Sequence, residues 1–174
     1  MKEFEELYKE IFKSVFYYIY TLSNDYALAE DIAQDTFLKA YEYLIVKGKP
    51  LTKSWFYTVA RNQYISLMRK RKFMYHTGDN MEIDDLLSQI PDKADTPEEY
   101  VLKKERVEGV TKVLNEMNES YKTALILREY HGLSFDEISD ILGVKRTYGK
   151  QLLYKAREKF KTLYGGKVNE WYGE

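Results

Sequence analysis

The sequence holds no cysteine, so neither a disulfide framework nor a thiolate metal site can organise it. Histidine is nearly absent too. His76 and His131 stand far apart in the chain, and two isolated imidazoles do not make a metal cluster by themselves. Proline occurs three times in 174 residues, two of them in one short stretch, which leaves the rest almost free of helix breakers. No apolar run approaches the roughly 20 residues that span a bilayer, and the chain opens with an acidic, amphipathic segment rather than a basic patch and a greasy stretch. Export and membrane insertion are not expected, and the cytoplasm is the expected compartment. A surplus of either charge is missing as well. With a formal net charge of −1, any nucleic-acid role must rest on local charge and not on bulk positive potential.

Against these absences stand seventeen tyrosines and long stretches of Glu, Lys and Leu, the composition of an aromatic-rich helical protein. Phe4, Leu7, Tyr8, Ile11, Phe12, Val15, Ile19 and Leu22 recur at three- and four-residue steps and predict a first helix. Asn24 or Asp25 can cap a second, whose stripe of Leu28, Ala29, Ala33, Phe37, Ala40, Tyr41 and Leu44 ends at Gly48 and Pro50. Thr52 or Ser54 can open a third, with Phe56, Val59, Ala60, Tyr64 and Leu67 inward and the basic run of residues 69–72 at its end. Residues 74–97 are acidic and aperiodic and read as a linker. Helical pattern returns after Thr96-Pro97-Glu98-Glu99, through Val107, Val110, Val113, Leu114 and Met117. A further helix follows, stopped by Gly132, and then two more at about 134–142 and 145–163, joined at Gly143. The expected fold class is all-α, two small helical domains joined by an acidic linker. The first is a three-to-four-helix bundle at 1–73 and the second occupies 98–165, with the linker at 74–97 and a frayed tail at 166–174.

Three stretches carry chemistry. In "LSFDEISDILGVKRTYGKQLLYKAREKF", Ser134 and Glu137 form an S-x-x-E capping box, Gly143 supplies a tight turn, and Leu152, Leu153 and Ala156 can face inward. Lys145, Arg146, Lys150, Lys155 and Arg157 then point outward, a helix-turn-helix spacing that equally fits a helical hairpin with a solvated basic face. Gly149 is expected to loosen the second helix, since glycine costs about 1 kcal/mol relative to alanine in a helix interior. In "AEDIAQDTFLKAYEYL", Asp31, Gln34, Asp35 and Leu38 share one outward face, and the glutamine and leucine within the acidic strip suit docking onto a basic partner more than simple solvation. In "KSWFYTVARNQYISLMRKRKF", aromatics interleave with Arg61, Asn62 and the basic run, which suits stacking on unpaired bases; the alternative is that the rings are core and the cations end a helix. No nucleophile, base and orienter converge, so neither enzyme activity, cofactor nor small-molecule substrate is expected.

The order of these stretches, "AEDIAQDTF", "WFYTVARNQYISLMRKRK", an acidic spacer, "LSFDEISDILGV" and "KAREKF", resembles the extracytoplasmic-function sigma factors of bacterial RNA polymerase over nearly the whole chain. The resemblance implies a sigma2-like domain whose Asp31, Gln34, Asp35 and Leu38 dock on the coiled coil of the largest polymerase subunit. It implies that Lys53, Trp55, Arg61, Asn62, Arg69, Lys70 and Arg71 act on the minus-ten element as it opens. It also implies a sigma4-like domain in which Lys145, Arg146, Thr147, Tyr148, Lys150, Gln151, Lys155 and Arg157 meet the minus-thirty-five element. The implied partners are core RNA polymerase, promoter DNA and an anti-sigma factor, often membrane-tethered. The chain departs from the family pattern in the reading helix, where Tyr148 and Gly149 replace Thr-Val and Leu152 replaces an arginine, so an unusual base preference is expected. Two alternatives stay open, a stand-alone helix-turn-helix regulator and a sigma-like adaptor that no longer reads promoters.

Overall fold

The computed structural model describes the backbone of residues 2–74 and 97–172 and the side chains of 10–71 and 107–166; the expected linker lies outside the described residues. Seven α-helices make up the described backbone: α1 Lys2–Ser23, α2 Tyr26–Lys47, α3 Lys53–Met74, α4 Pro97–Glu116, α5 Glu119–Leu125, α6 Phe135–Leu142 and α7 Arg146–Tyr172. No strand occurs among the described residues, in keeping with the all-α expectation.

Local chemistry sets most of the boundaries. Asp25 caps α2 by accepting the Leu28 N–H at 2.9 Å, worth about 1 kcal/mol against alanine, and Asn24 takes the left-handed backbone (φ 53°) that asparagine tolerates. Gly48 ends α2 in the left-handed region, its N–H donating to the Leu44 carbonyl. Thr52 Oγ1 accepts the Trp55 N–H at 3.3 Å where α3 begins. The Ser134–Glu137 capping box forms in both directions, and its hydrogen bonds hold the Glu137 carboxyl below the usual range. Past Leu125 the α5 ladder widens into a π turn, Ile126–Tyr130, before Gly132 stops it.

The first three helices wrap Val15, Ile19, Ile32, Ala33, Phe37, Phe56 and Ala60, all buried. The last four wrap Val113, Leu114, Leu127, Leu133, Ile138, Ile141 and Leu153. These are not two separate cores. Helix α3 packs along α6, α1 reaches α5 and its π turn, and the buried apolar residues of both halves join into one cluster. A chain segmented by its periodicity into two units joined by a tether is, in this structure, closed on itself.

One expectation is corrected: residues 166–172, expected to fray, continue α7 to Tyr172. Of the periodic residues, Val107 and Val110 on α4 and Tyr41 on α2 are exposed, Tyr41 by 48 %, while Val113 and Leu114 of α4 are buried.

Candidate docking and nucleic-acid interfaces

Helix α2 buries Leu28, Ala29, Ile32, Ala33, Phe37 and Ala40 against its neighbours, so the opposite side must face out. Asp31, Gln34 and Leu38 are exposed there and Asp35 is half-exposed, ion-paired to Lys39 at 2.7 Å. The exposed face continues past Leu38. Leu38, Tyr41, Ile45 and Val46 are 57 %, 48 %, 66 % and 75 % exposed, a run of apolar area that a solvated helix face does not need. Asp31, Leu38 and Ile45 stand seven residues apart, the repeat that keeps one seam against a partner helix. Exposed aliphatics at that spacing were the signal available in the sequence.

On α3 the candidate residues divide. Trp55, Asn62 and Arg69 follow at seven-residue steps on one side, Asn62 and Arg69 exposed and Trp55 half-buried against Tyr43 and Phe56 with ring centroids 5.8 and 5.3 Å away. Lys53, Lys70 and Arg71 are also exposed, and Arg71 lies 3.5 Å from the Asp25 carboxylate. Arg61 does not belong to this group. Consecutive helical residues point about 100° apart, and with Asn62 outward Arg61 turns inward, 9 % exposed. Its Nε and Nη2 donate to the two Glu119 carboxylate oxygens at 2.8 and 2.6 Å, and Nη1 reaches the Ile141 carbonyl at 3.4 Å. The expectation that Arg61 stands on an open DNA face is corrected to a bidentate contact between the two halves of the molecule.

That pair anchors a polar seam the sequence did not reveal. Glu119 Oε1 also accepts from Thr123 Oγ1 at 2.8 Å, and Thr123 meets the Tyr18 hydroxyl at 3.2 Å. Burial holds Tyr18 well above the usual tyrosine range, so it stays a neutral hydrogen-bonding partner. Lys122 sends its ammonium to the Leu22 carbonyl at 3.0 Å and to Asn115 Oδ1 at 2.7 Å, and burial lowers its pKa to about 8. At the far end the Tyr57 hydroxyl lies 3.2 Å from His131 Nδ1. Burial first, and the Lys53 charge second, hold that imidazole at about 4, while burial raises Tyr57 to about 12.

The helix-turn-helix is formed. Ser134 caps α6, Gly143 turns with φ 67°, and α7 buries Leu152, Leu153 and Ala156 as expected. Gly149 is not a loosening defect. It faces α6 so closely that a Cβ built there collides with Ser139 Oγ, so the absent side chain lets the two helices meet. Lys145, Arg146, Thr147, Tyr148, Lys150, Gln151, Lys155 and Arg157 are all exposed. Two of the cations are engaged within the molecule, Arg146 with Asp136 at 3.2 Å and Arg157 with Glu129 at 2.6 Å.

Comparison with known proteins accounts for both halves. Residues 7–74 match the family model for sigma-70 region 2, and residues 108–160 that for sigma-70 region 4. The chain is 30 % identical over 167 residues to the ECF RNA polymerase sigma factor SigM of Bacillus subtilis (strain 168), across 95 % of this chain and 98 % of that protein. It is 29 % identical over 158 residues to RNA polymerase sigma factor YlaC of the same organism, across 90 % and 89 %. Among solved structures, the sigma factor RpoE in complex with the anti-sigma factor NepR from Bartonella quintana superposes with a TM-score of 0.70 at 22 % identity, over 94 % of this chain and 97 % of that one.

Proposed function

The chain belongs to the extracytoplasmic-function sigma factors of the sigma-70 family, an alternative sigma factor that directs promoter-specific transcription initiation, and from that premise we propose how its surfaces divide the work. The outward side of α2, from Asp31 through Gln34, Asp35 and Leu38 to Ile45, docks on core RNA polymerase. Its heptad spacing suits a coiled-coil partner, and its two carboxylates suit a basic one. Asn62, Arg69 and Lys70, with Trp55 and Lys53 near the start of α3, face the minus-ten element as it melts, the cations on phosphates and the half-buried indole available to a displaced base. Helix α7 enters the duplex at the minus-thirty-five element. The protein acts by binding, and bond formation is left to the polymerase. By the same family reading, an anti-sigma factor covers these surfaces until a signal releases them. Among the described residues no helix is long and apolar enough to cross a membrane.

The observation that carries the reading is the end-to-end match to an ECF sigma factor. The seating of Gly149 on Ser139 supports retention of promoter reading, because the departure in the reading helix is accommodated without damage to the helix-turn-helix. The test is transcription in vitro by bacterial core polymerase, with and without the protein, on a pool of host promoter fragments with sequencing of transcript starts. Starts that share two upstream elements only when the protein is present are expected. Polymerase binding without specific starts would point instead to an adaptor.

A further inference from the structure

The buried side of α7 fixes which residues can reach a base. Gly149, Leu152, Leu153 and Ala156 face the core, and a Cβ built on Gly149 would collide with Ser139 Oγ, so this side of α7 is seated closely on α6. Opposite them lie Thr147, Gln151 and Tyr154, at i, i+4 and i+7, all exposed and Tyr154 by 67 %. Tyr148 stands to one side of this ridge with Lys155, and Lys150 to the other with Arg157. Arg146 and Arg157 are paired to Asp136 and Glu129, which leaves Lys150 on one flank and Lys155, with Lys159 a turn further on, on the other. Glu158 comes next on the ridge, held by Lys161 at 3.2 Å, and its carboxylate is unsuited to a phosphate-lined groove. The part of α7 that can enter a groove is thus a polar ridge about two turns long with a lysine on either side, the charge pattern of a helix laid between two phosphate backbones.

Resting on the reading of α7 as the duplex-binding helix, we propose that Gln151 is the base-reading residue of this sigma factor and selects an adenine in the upstream element. On this assignment Tyr154 packs beside it on the adjoining base pair, and Tyr148, Lys150 and Lys155 only track phosphates. Gln151 is the one side chain on the ridge whose donor and acceptor sit on separate atoms, an amide that can meet N7 and N6 of adenine together in the major groove, whereas the hydroxyls of Thr147 and Tyr154 carry both on a single oxygen. The tyrosine ring offers apolar surface to a thymine methyl. Tyr148, off the ridge, is not the specificity residue despite its prominence in the sequence.

The test uses the full chain with core polymerase on a promoter library randomised through the upstream element, read by sequencing the transcripts. For the unaltered protein, one position should favour adenine by about ten-fold or more, the discrimination of a bidentate base contact. Gln151→Ala should flatten that position alone, and Gln151→Glu should turn its preference towards cytosine, whose N4 donates to a carboxylate. Lys155→Ala should lower transcription evenly across sequences and reduce the salt dependence by about one counterion. Unchanged base preferences in Gln151→Ala, or a preference lost in Tyr148→Ala instead, would overturn the proposal while leaving the sigma-factor assignment intact. Absence of any promoter-specific starts with the unaltered protein would overturn both.

Discussion

Arg61 on α3 and Glu119 on α5, fifty-eight positions apart in the chain, meet in a bidentate ion pair with the guanidinium almost wholly buried. The pair joins the half of the molecule that matches sigma-70 region 2 to the half that matches region 4. A guanidinium so placed cannot touch DNA while the contact holds.

Removing one partner of such a pair strands the other charge. Glu119→Ala should destabilise the protein by roughly 2–4 kcal/mol and separate the two halves, seen as a lower denaturation midpoint and a longer distance between fluorophores on α2 and α7. If midpoint and distance both stay as in the unaltered protein, the pair contributes nothing to closure.

Gly149→Ala sets two effects against each other. Alanine favours the helix by about 1 kcal/mol, but its methyl would occupy the space of Ser139 Oγ, which itself donates to the Phe135 carbonyl at 2.7 Å. Overpacking should win, with a net loss of about 1–3 kcal/mol in denaturant unfolding, partly recovered by adding Ser139→Gly. A stabilised Gly149→Ala would mean that α6 and α7 are not held this close.

Polymerase docking can be separated from stability on α2. Asp35 is half-exposed and its only described ion pair is with Lys39 on the same helix, a surface contact worth about 0.3–0.5 kcal/mol. Asp35→Lys should leave unfolding nearly unchanged and weaken binding to core polymerase by more than about ten-fold, as expected when a like charge faces a basic partner. Normal binding by the folded variant would remove this face from the interface.

Promoter opening can be separated from docking on α3. Asn62 is exposed and carries no packing load, so Asn62→Ala should slow formation of the open complex, followed by permanganate reactivity of unpaired thymines, more than it weakens polymerase binding. Equal losses in both would make the residue structural.

Acid should loosen the seam at His131. Its folded pKa of about 4 lies below the ordinary 6.5, so between those values the unfolded chain binds more protons and stability rises with pH. The contribution is complete above 6.5 and is lost as pH falls through the window towards 4. His131→Phe keeps a ring between Tyr18 and Tyr57 and removes the titration, so its denaturation midpoint should change less between pH 7 and 5 than that of the unaltered protein. Parallel profiles would assign the acid sensitivity elsewhere.

Much of this protein is local and was legible in its residues. Apolar steps of three and four laid out the helices, the carboxylate of Asp25 and the Ser134–Glu137 box marked where two of them begin, and Gly48, Gly132 and Gly143 marked turns, because each depends on neighbours within a few positions. The acidic strip of α2 was legible for the same reason. What the tertiary structure decided involves residues that are distant in sequence. Whether Arg61 faces DNA or Glu119, whether Gly149 loosens α7 or seats it on Ser139, and why Tyr18 and Lys122 are buried and His131 half-buried all depend on how α3 lies against α6 and α1 against α5. Periodicity tells a helix which side is apolar, but not which helix will cover it, and a polar residue at the edge of that side acquires its role only from the partner that arrives.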